Sequence, residues 1–221
     1  MPNPLTLLLT TTTTLTLTGL TTAALTPPTL LAPWRITSLS THSPSGYPAS
    51  HPYSRLGFSI ADPNTITLGT THYGDAGFLP HGANCSVVWL AYGPDPREGN
   101  GKEGGSGSGS GIGCGDGGEL RGKWAFEVVD GVGEGGGSAT TDFGLRVRLE
   151  EAVVLATGAV VNLRFEGEVV LFRVGDNMAG ACGGSSVCNW GLKKESAPVL
   201  VKQTLVEMEC VAGDCDIEGE A

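Results

Sequence analysis

Phe143-Gly-Leu-Arg-Val-Arg-Leu149 decides the fold: Leu145 and Val147 fall on one side of the backbone, and Arg146 and Arg148 fall on the other. A period of two is the mark of a strand with one face buried and one in water. The pattern continues into Ala152 to Ala156, a turn at Thr157-Gly158, and Val160 to Phe165. There Val161, Leu163 and Phe165 alternate with Asn162 and Arg164, which predicts a hairpin. A short helix over Leu149 to Ala156 is the competing reading, but the adjacent β-branched Val153 and Val154 favour strand.

The same period recurs on both sides. Upstream it predicts strands over Trp34 to Leu39, over Arg55 to Ala61 with Leu56, Phe58 and Ile60 on one face, over Cys85 to Tyr92, and over Lys123 to Val129 with Trp124, Phe126 and Val128 inward. Downstream it predicts strands over Val169 to Val174 and Pro198 to Val206, and the unbroken apolar run Val169 to Phe172 suggests burial on both faces. No stretch of ten or more residues holds a capped helical period. The expectation is all-β: a single antiparallel β-barrel or β-sandwich domain of about eight or nine strands with a disordered Gly/Ser loop.

The chain opens on Met1 to Pro33 without a charged side chain, and a Leu/Thr-rich stretch from Leu5 to Leu20 runs into Thr22-Ala23-Ala24. This reads as a secretory signal peptide over residues 1–24, too short and too polar to span a membrane, with only the α-amino group to supply positive charge. A single β domain over 25–221 then follows, secreted and extracellular. Of the 221 residues 40% are hydrophobic and 16% charged, a globular balance, while 35 Gly and 13 Pro imply many turns. The low-complexity core Gly104-Gly105-Ser106-Gly107-Ser108-Gly109-Ser110-Gly111 marks 97–118 as a flexible insertion between strands. Thr41 to Pro52 reads as an extended connector. A net charge of −10 argues against nucleic acid or an anionic membrane as partner. Much of it gathers at the end, in Glu207, Glu209, Asp214, Asp216, Glu218 and Glu220, and 216–221 reads as a solvated acidic tail.

Six cysteines in an exported chain point to disulfides. Cys85 and Cys114 stand alone in the first half and bracket the Gly-rich segment, so they are expected to pair. Cys182, Cys188, Cys210 and Cys215 could close two local loops, or could pair Cys182 with Cys210 and Cys188 with Cys215. A zinc site is disfavoured, because there is no Cys-x2-Cys and all four histidines precede Cys85. No metal and no cofactor is expected.

Motifs that could carry chemistry are few. Gly131-Val-Gly-Glu-Gly-Gly136 and Gly113 to Gly118 match the dinucleotide fingerprint, but each leads into a strand instead of a helix. Glu166 and Glu168 would share a strand face about 7 Å apart, a spacing open to a glycosidase pair, although exposed strand charges are far commoner. His42, His51, His72 and His81 lie in loop-like segments and read as surface histidines. Asp62-Pro63-Asn64 reads as a turn. Asn84-Cys85-Ser86 is a glycosylation sequon in which disulfide pairing competes with modification of Asn84.

Trp34-Arg-Ile, Tyr53-Ser-Arg-Leu-Gly-Phe-Ser-Ile-Ala-Asp-Pro-Asn64, Cys85-Ser-Val-Val-Trp89, Cys114, Trp124-Ala-Phe126, Asp142-Phe-Gly-Leu145, Cys182-Gly-Gly-Ser-Ser-Val-Cys188-Asn-Trp190 and Pro198-Val-Leu-Val-Lys-Gln-Thr204 resemble the small secreted fungal proteins related to the Alternaria major allergen. The resemblance implies a β-barrel or β-sandwich, secretion, no catalytic site, and effector, elicitor or allergen activity towards a host. It also implies a small apolar or phenolic ligand. The chain departs from that pattern by its Gly/Ser insertion, its acidic tail and its four C-terminal cysteines. The expected role is therefore a secreted, non-catalytic binding protein, not an enzyme, acting on a host or other extracellular protein. The alternatives are an extracellular hydrolase of cell-wall polysaccharide and a small apolar ligand carrier.

Overall fold

The structure is a computed structural model that describes residues 31–45, 51–71, 74–93, 96, 111–115, 122–131 and 138–213. The signal segment, most of the 97–118 insertion, His72 and the 216–221 tail lie outside the described residues.

The strands are β1 Trp34–Ser43, β2 Tyr53–Asp62, β3 Ile66–Thr71, β4 Gly74–Phe78, β5 His81–Leu90, β6 Ile112–Gly113, β7 Lys123–Asp130, β8 Asp142–Val154, β9 Val160–Gly167, β10 Val170–Arg173, β11 Met178–Cys182, β12 Cys188–Leu192, β13 Val199–Val201 and β14 Gln203–Ala212. They form two six-stranded sheets. The first runs β11-β12-β1-β2-β5 with β13 also on β1, and the second runs β14-β9-β8-β7-β6 with β10 also on β8. All these pairings are antiparallel. Neither sheet closes on itself, so of barrel and sandwich the structure takes the sandwich. The hairpin β3-β4 forms a small third sheet on the path from β2 to β5.

Alternation places the core between the two large sheets. Leu56, Phe58 and Ile60 of β2 face Trp124, Phe126 and Val128 of β7, and Phe143, Leu145, Val147 and Leu149 of β8 continue the layer. Aromatic edges join the sheets, Trp34 against Trp124 at 5.0 Å and Phe58 against Phe126 at 5.1 Å, both T-shaped. In β1 a register shift between Ile36 and Ser38 lets both Ile36 and Leu39 point inward, three residues apart, where strict alternation would expose one of them.

Four expectations change. The Thr41 to Pro52 connector begins later, because β1 runs through Ser43, where Ser40 to Ser43 pair with β12. Inside 97–118, Ile112 and Gly113 form a short strand on Phe126 and Ala125, drawn there by the adjoining disulfide at Cys114. Pro198 to Val206 is two strands, β13 in the first sheet and β14 in the second, so the chain crosses between layers at Lys202. Val169 to Phe172 is buried on one face only. Phe172 is fully buried while Val169 and Leu171 are exposed, since β10 lies on β8 with its outer face in water.

Candidate functional site

Strand parity puts three ionisable side chains where apolar ones would be expected. On β2 the inward series Leu56, Phe58, Ile60 ends at Asp62, which is 2% exposed. On β5 the inward series Trp89, Val87, Cys85, Ala83 ends at His81, and on β8 the series Phe143, Leu145, Val147, Leu149 reaches Glu151 before returning to Val153. Asp62 and His81 are cross-strand partners. The three therefore meet at one end of the sandwich.

Asp62 is saturated. Trp34 Nε1 donates to its Oδ2 at 2.8 Å, and Asn64 donates to Oδ1 from its backbone N–H at 2.8 Å and from Nδ2 at 2.6 Å. Gln203 Nε2 approaches Oδ1 at 3.5 Å. The Asp62-Pro63-Asn64 turn thus forms as its residues suggest, and the same carboxylate also serves the core.

His81 and Glu151 are not saturated. Their side chains are 10% and 12% exposed, and Nε2 of the one lies 3.8 Å from Oε2 of the other. Neither of these two buried atoms has a hydrogen-bond partner. His81 Nδ1 sits 3.0 Å from the Leu79 carbonyl, which can only accept. Nδ1 therefore donates to that carbonyl, and Nε2 is the nitrogen turned to Glu151. Burial, and secondarily the charge of Asp62, push the Glu151 carboxyl from an ordinary 4.5 up to about 7. Phe78 and Trp124 pack against the His81 ring at 5.1 and 5.6 Å. Gly122 lies close behind the pair: a Cβ there would come within 2.5 Å of His81 Nε2 and 3.3 Å of Glu151 Oε2.

The pair lines a cleft of about 360 Å³ between β4 and the end of β8, bordered also by Asp75, Leu79, Pro80, Val153 and Val154. Among the described residues no group of three His, Cys, Asp or Glu is arranged to hold a metal ion.

A second feature lies on the outer face of the first sheet. Tyr53 pairs with Leu90 and Arg55 with Val88, all pointing away from the core, and Tyr92 follows in the next turn. Tyr53, Val88, Leu90 and Tyr92 are 40% to 74% exposed. Away from this apolar end the face is small and polar, with Ser38 donating to Ser59 and Ser59 to Asn84 across three strands.

The residues singled out from the sequence scatter. Cys85 pairs with Cys114 and Cys182 with Cys188, the local arrangement for the latter. Cys210 is disulfide-bonded too, and Cys215, the one cysteine left, lies outside the described residues. Asn84 is exposed on the edge strand β5 while Cys85 points inward, so the disulfide and the sequon occupy opposite faces. Glu166 and Glu168 do not share a strand, since β9 stops at Gly167. Each has its own cation, Arg148 at 3.5 Å and Lys202 at 2.9 Å. Of the acidic residues gathered near the end, Glu207 and Glu209 belong to β14, and Glu207 meets Arg164 at 2.9 Å. His42 lies in β1 with Nδ1 2.8 Å from Asn189 Oδ1, and His51 is exposed. His81 is no surface histidine, because inward parity on β5 carries it under the β3-β4 hairpin. The readable signal was that parity: an acid two residues after Leu149 in an apolar series, and a histidine two residues before Ala83 in another.

No protein-family model matches this chain, nor does any curated protein or solved structure, so the likeness to the Alternaria allergen-related proteins rests on the residues quoted above.

Proposed function

We propose that this chain is an exported, disulfide-bonded binding protein of the fungal effector, elicitor or allergen-like kind, acting without turnover on a host or other extracellular protein. The observation that carries the reading is the apolar end of the first sheet, where Tyr53, Val88, Leu90 and Tyr92 stand in water beside Arg55. Tyrosine and arginine are the residues that dominate protein interfaces when a partner dries them, and contiguous exposed apolar surface marks such sites. Paired cysteines suit an oxidising compartment, which supports export. The test is capture of a partner from host extracellular fluid by the purified mature protein, with Val88→Asp and Leu90→Asp beside wild type and circular dichroism to confirm folding. Each folded variant should bind roughly tenfold or more weakly, the loss of a central interface residue at above about 1.4 kcal/mol. Undiminished binding by both variants would move the interface elsewhere.

A further inference from the structure

We propose that the cleft between β4 and the end of β8 is a binding site for a small organic amine with an apolar chain, its ammonium received by Glu151 and His81 with Asp75 at the rim. The site is separate from the apolar end of the first sheet and does not depend on it.

The polarity of the cleft selects the ligand. Its floor offers the Glu151 carboxylate and beside it the buried, unpartnered His81 Nε2, the same ring donating from Nδ1 to the Leu79 carbonyl. Asp75 adds a second carboxylate, and among the described residues no Lys or Arg lines the cleft. Several other carboxylates of the fold have a cation at hand: Glu127 has Arg146, Asp142 has Arg173, and Glu166, Glu168 and Glu207 are paired as described. Among the described residues, Glu151 has only a histidine, 3.8 Å away. A ligand anion would meet Asp75, Glu151 and the nearby Asp62. A neutral alcohol would leave the carboxylate uncompensated, whereas an ammonium brings both the missing charge and several donors. The walls of Leu79, Pro80, Val153 and Val154 complement an aliphatic or aromatic body.

Amine binding should also be linked to pH. The groups facing Glu151 are His81 on β5, Asp62 at the end of β2 and Asp75 on β4. From the flanking strands it meets Gly122, just before β7, and its register partner Leu163 on β9, neither of which ionises. Because the carboxyl holds its proton up to about pH 7, an ammonium must displace that proton below neutrality.

The experiment titrates the full mature protein with n-hexylamine, n-hexanol and n-hexanoate between pH 6 and pH 8.5, by calorimetry and by NMR of the His81 imidazole. Hexylamine should perturb His81 and bind at least about tenfold more tightly than the other two. Its affinity should rise about tenfold per pH unit below neutrality and level off above. Glu151→Gln should remove this binding, and Asp75→Asn, at the exposed rim, should weaken it severalfold with the core untouched. Hexanol or hexanoate binding as tightly as the amine would overturn the proposal. So would a pH-independent affinity, wild-type affinity in folded Glu151→Gln, or no response at about 10 mM amine, which is weaker than any specific site of this size should be.

Discussion

Replacing Glu151 by Gln should stabilise the protein at pH 8 and leave it nearly unchanged at pH 4. In the folded chain the carboxyl keeps its proton up to about pH 7, and in the unfolded chain it loses it near 4.5. Between those values the folded state binds more protons than the unfolded one, so stability falls as pH rises, by about 1.4 kcal/mol per pH unit while the difference is complete. Across the whole window the loss is about 3 kcal/mol, and it persists above pH 7. Gln fills nearly the same volume, carries no charge, and escapes that loss. For a domain of this size about 1 kcal/mol moves Tm by roughly 2–4 °C, so the variant should melt about 6–12 °C above wild type at pH 8. Calorimetric melts of both proteins at pH 4, 6 and 8 provide the test. A Tm difference that does not grow with pH, or a variant less stable than wild type at pH 8, would refute the account of Glu151 as a buried carboxyl without a cation.

Asp62→Asn removes the second cause of the raised Glu151 value, and carbon-detected NMR should show Glu151 titrating below about 7 while burial still holds it above 4.5. Gly122→Ala should destabilise by roughly 1–3 kcal/mol in denaturant melts, because its φ of +36° disfavours a side chain and the new methyl would press on His81 Nε2 and on Leu149 Cδ1. Replacing Cys85 and Cys114 together by Ser should cost about 3–4 kcal/mol on the chain-entropy estimate for the loop they close, read as a lower denaturation midpoint.

How much of this was legible in the sequence depends on what each residue had to do. Where one face is buried and the other wet, as in Phe143 to Leu149 or Arg55 to Ala61, the alternation could be read directly, and the strands sit there. The β3-β4 and β11-β12 hairpins escaped because Gly69, Gly74, Gly77 and Gly180 interrupt their apolar pattern. In Gly77 and Gly180 the lack of a side chain is itself the reason for the residue, since a Cβ would collide with the paired strand. The His81–Glu151 cleft needed two distant strands to end at the same place. Parity could assign each residue an inward face, but only the topology reveals that β5, β8 and the β3-β4 hairpin converge.

In each large sheet one long strand serves two short ones end to end. β1 is joined by β13 along Trp34–Ile36 and by β12 along Ser40–Ser43, and β8 is joined by β10 along Asp142–Leu145 and by β9 along Arg148–Val154. Such a strand works like a splice plate across a joint, so the two members it unites can loosen one at a time. Amide protons on either side of the joint should then record separate opening events, with β12, whose first residue is fastened to β11 through Cys182 and Cys188, keeping its own clock from β13.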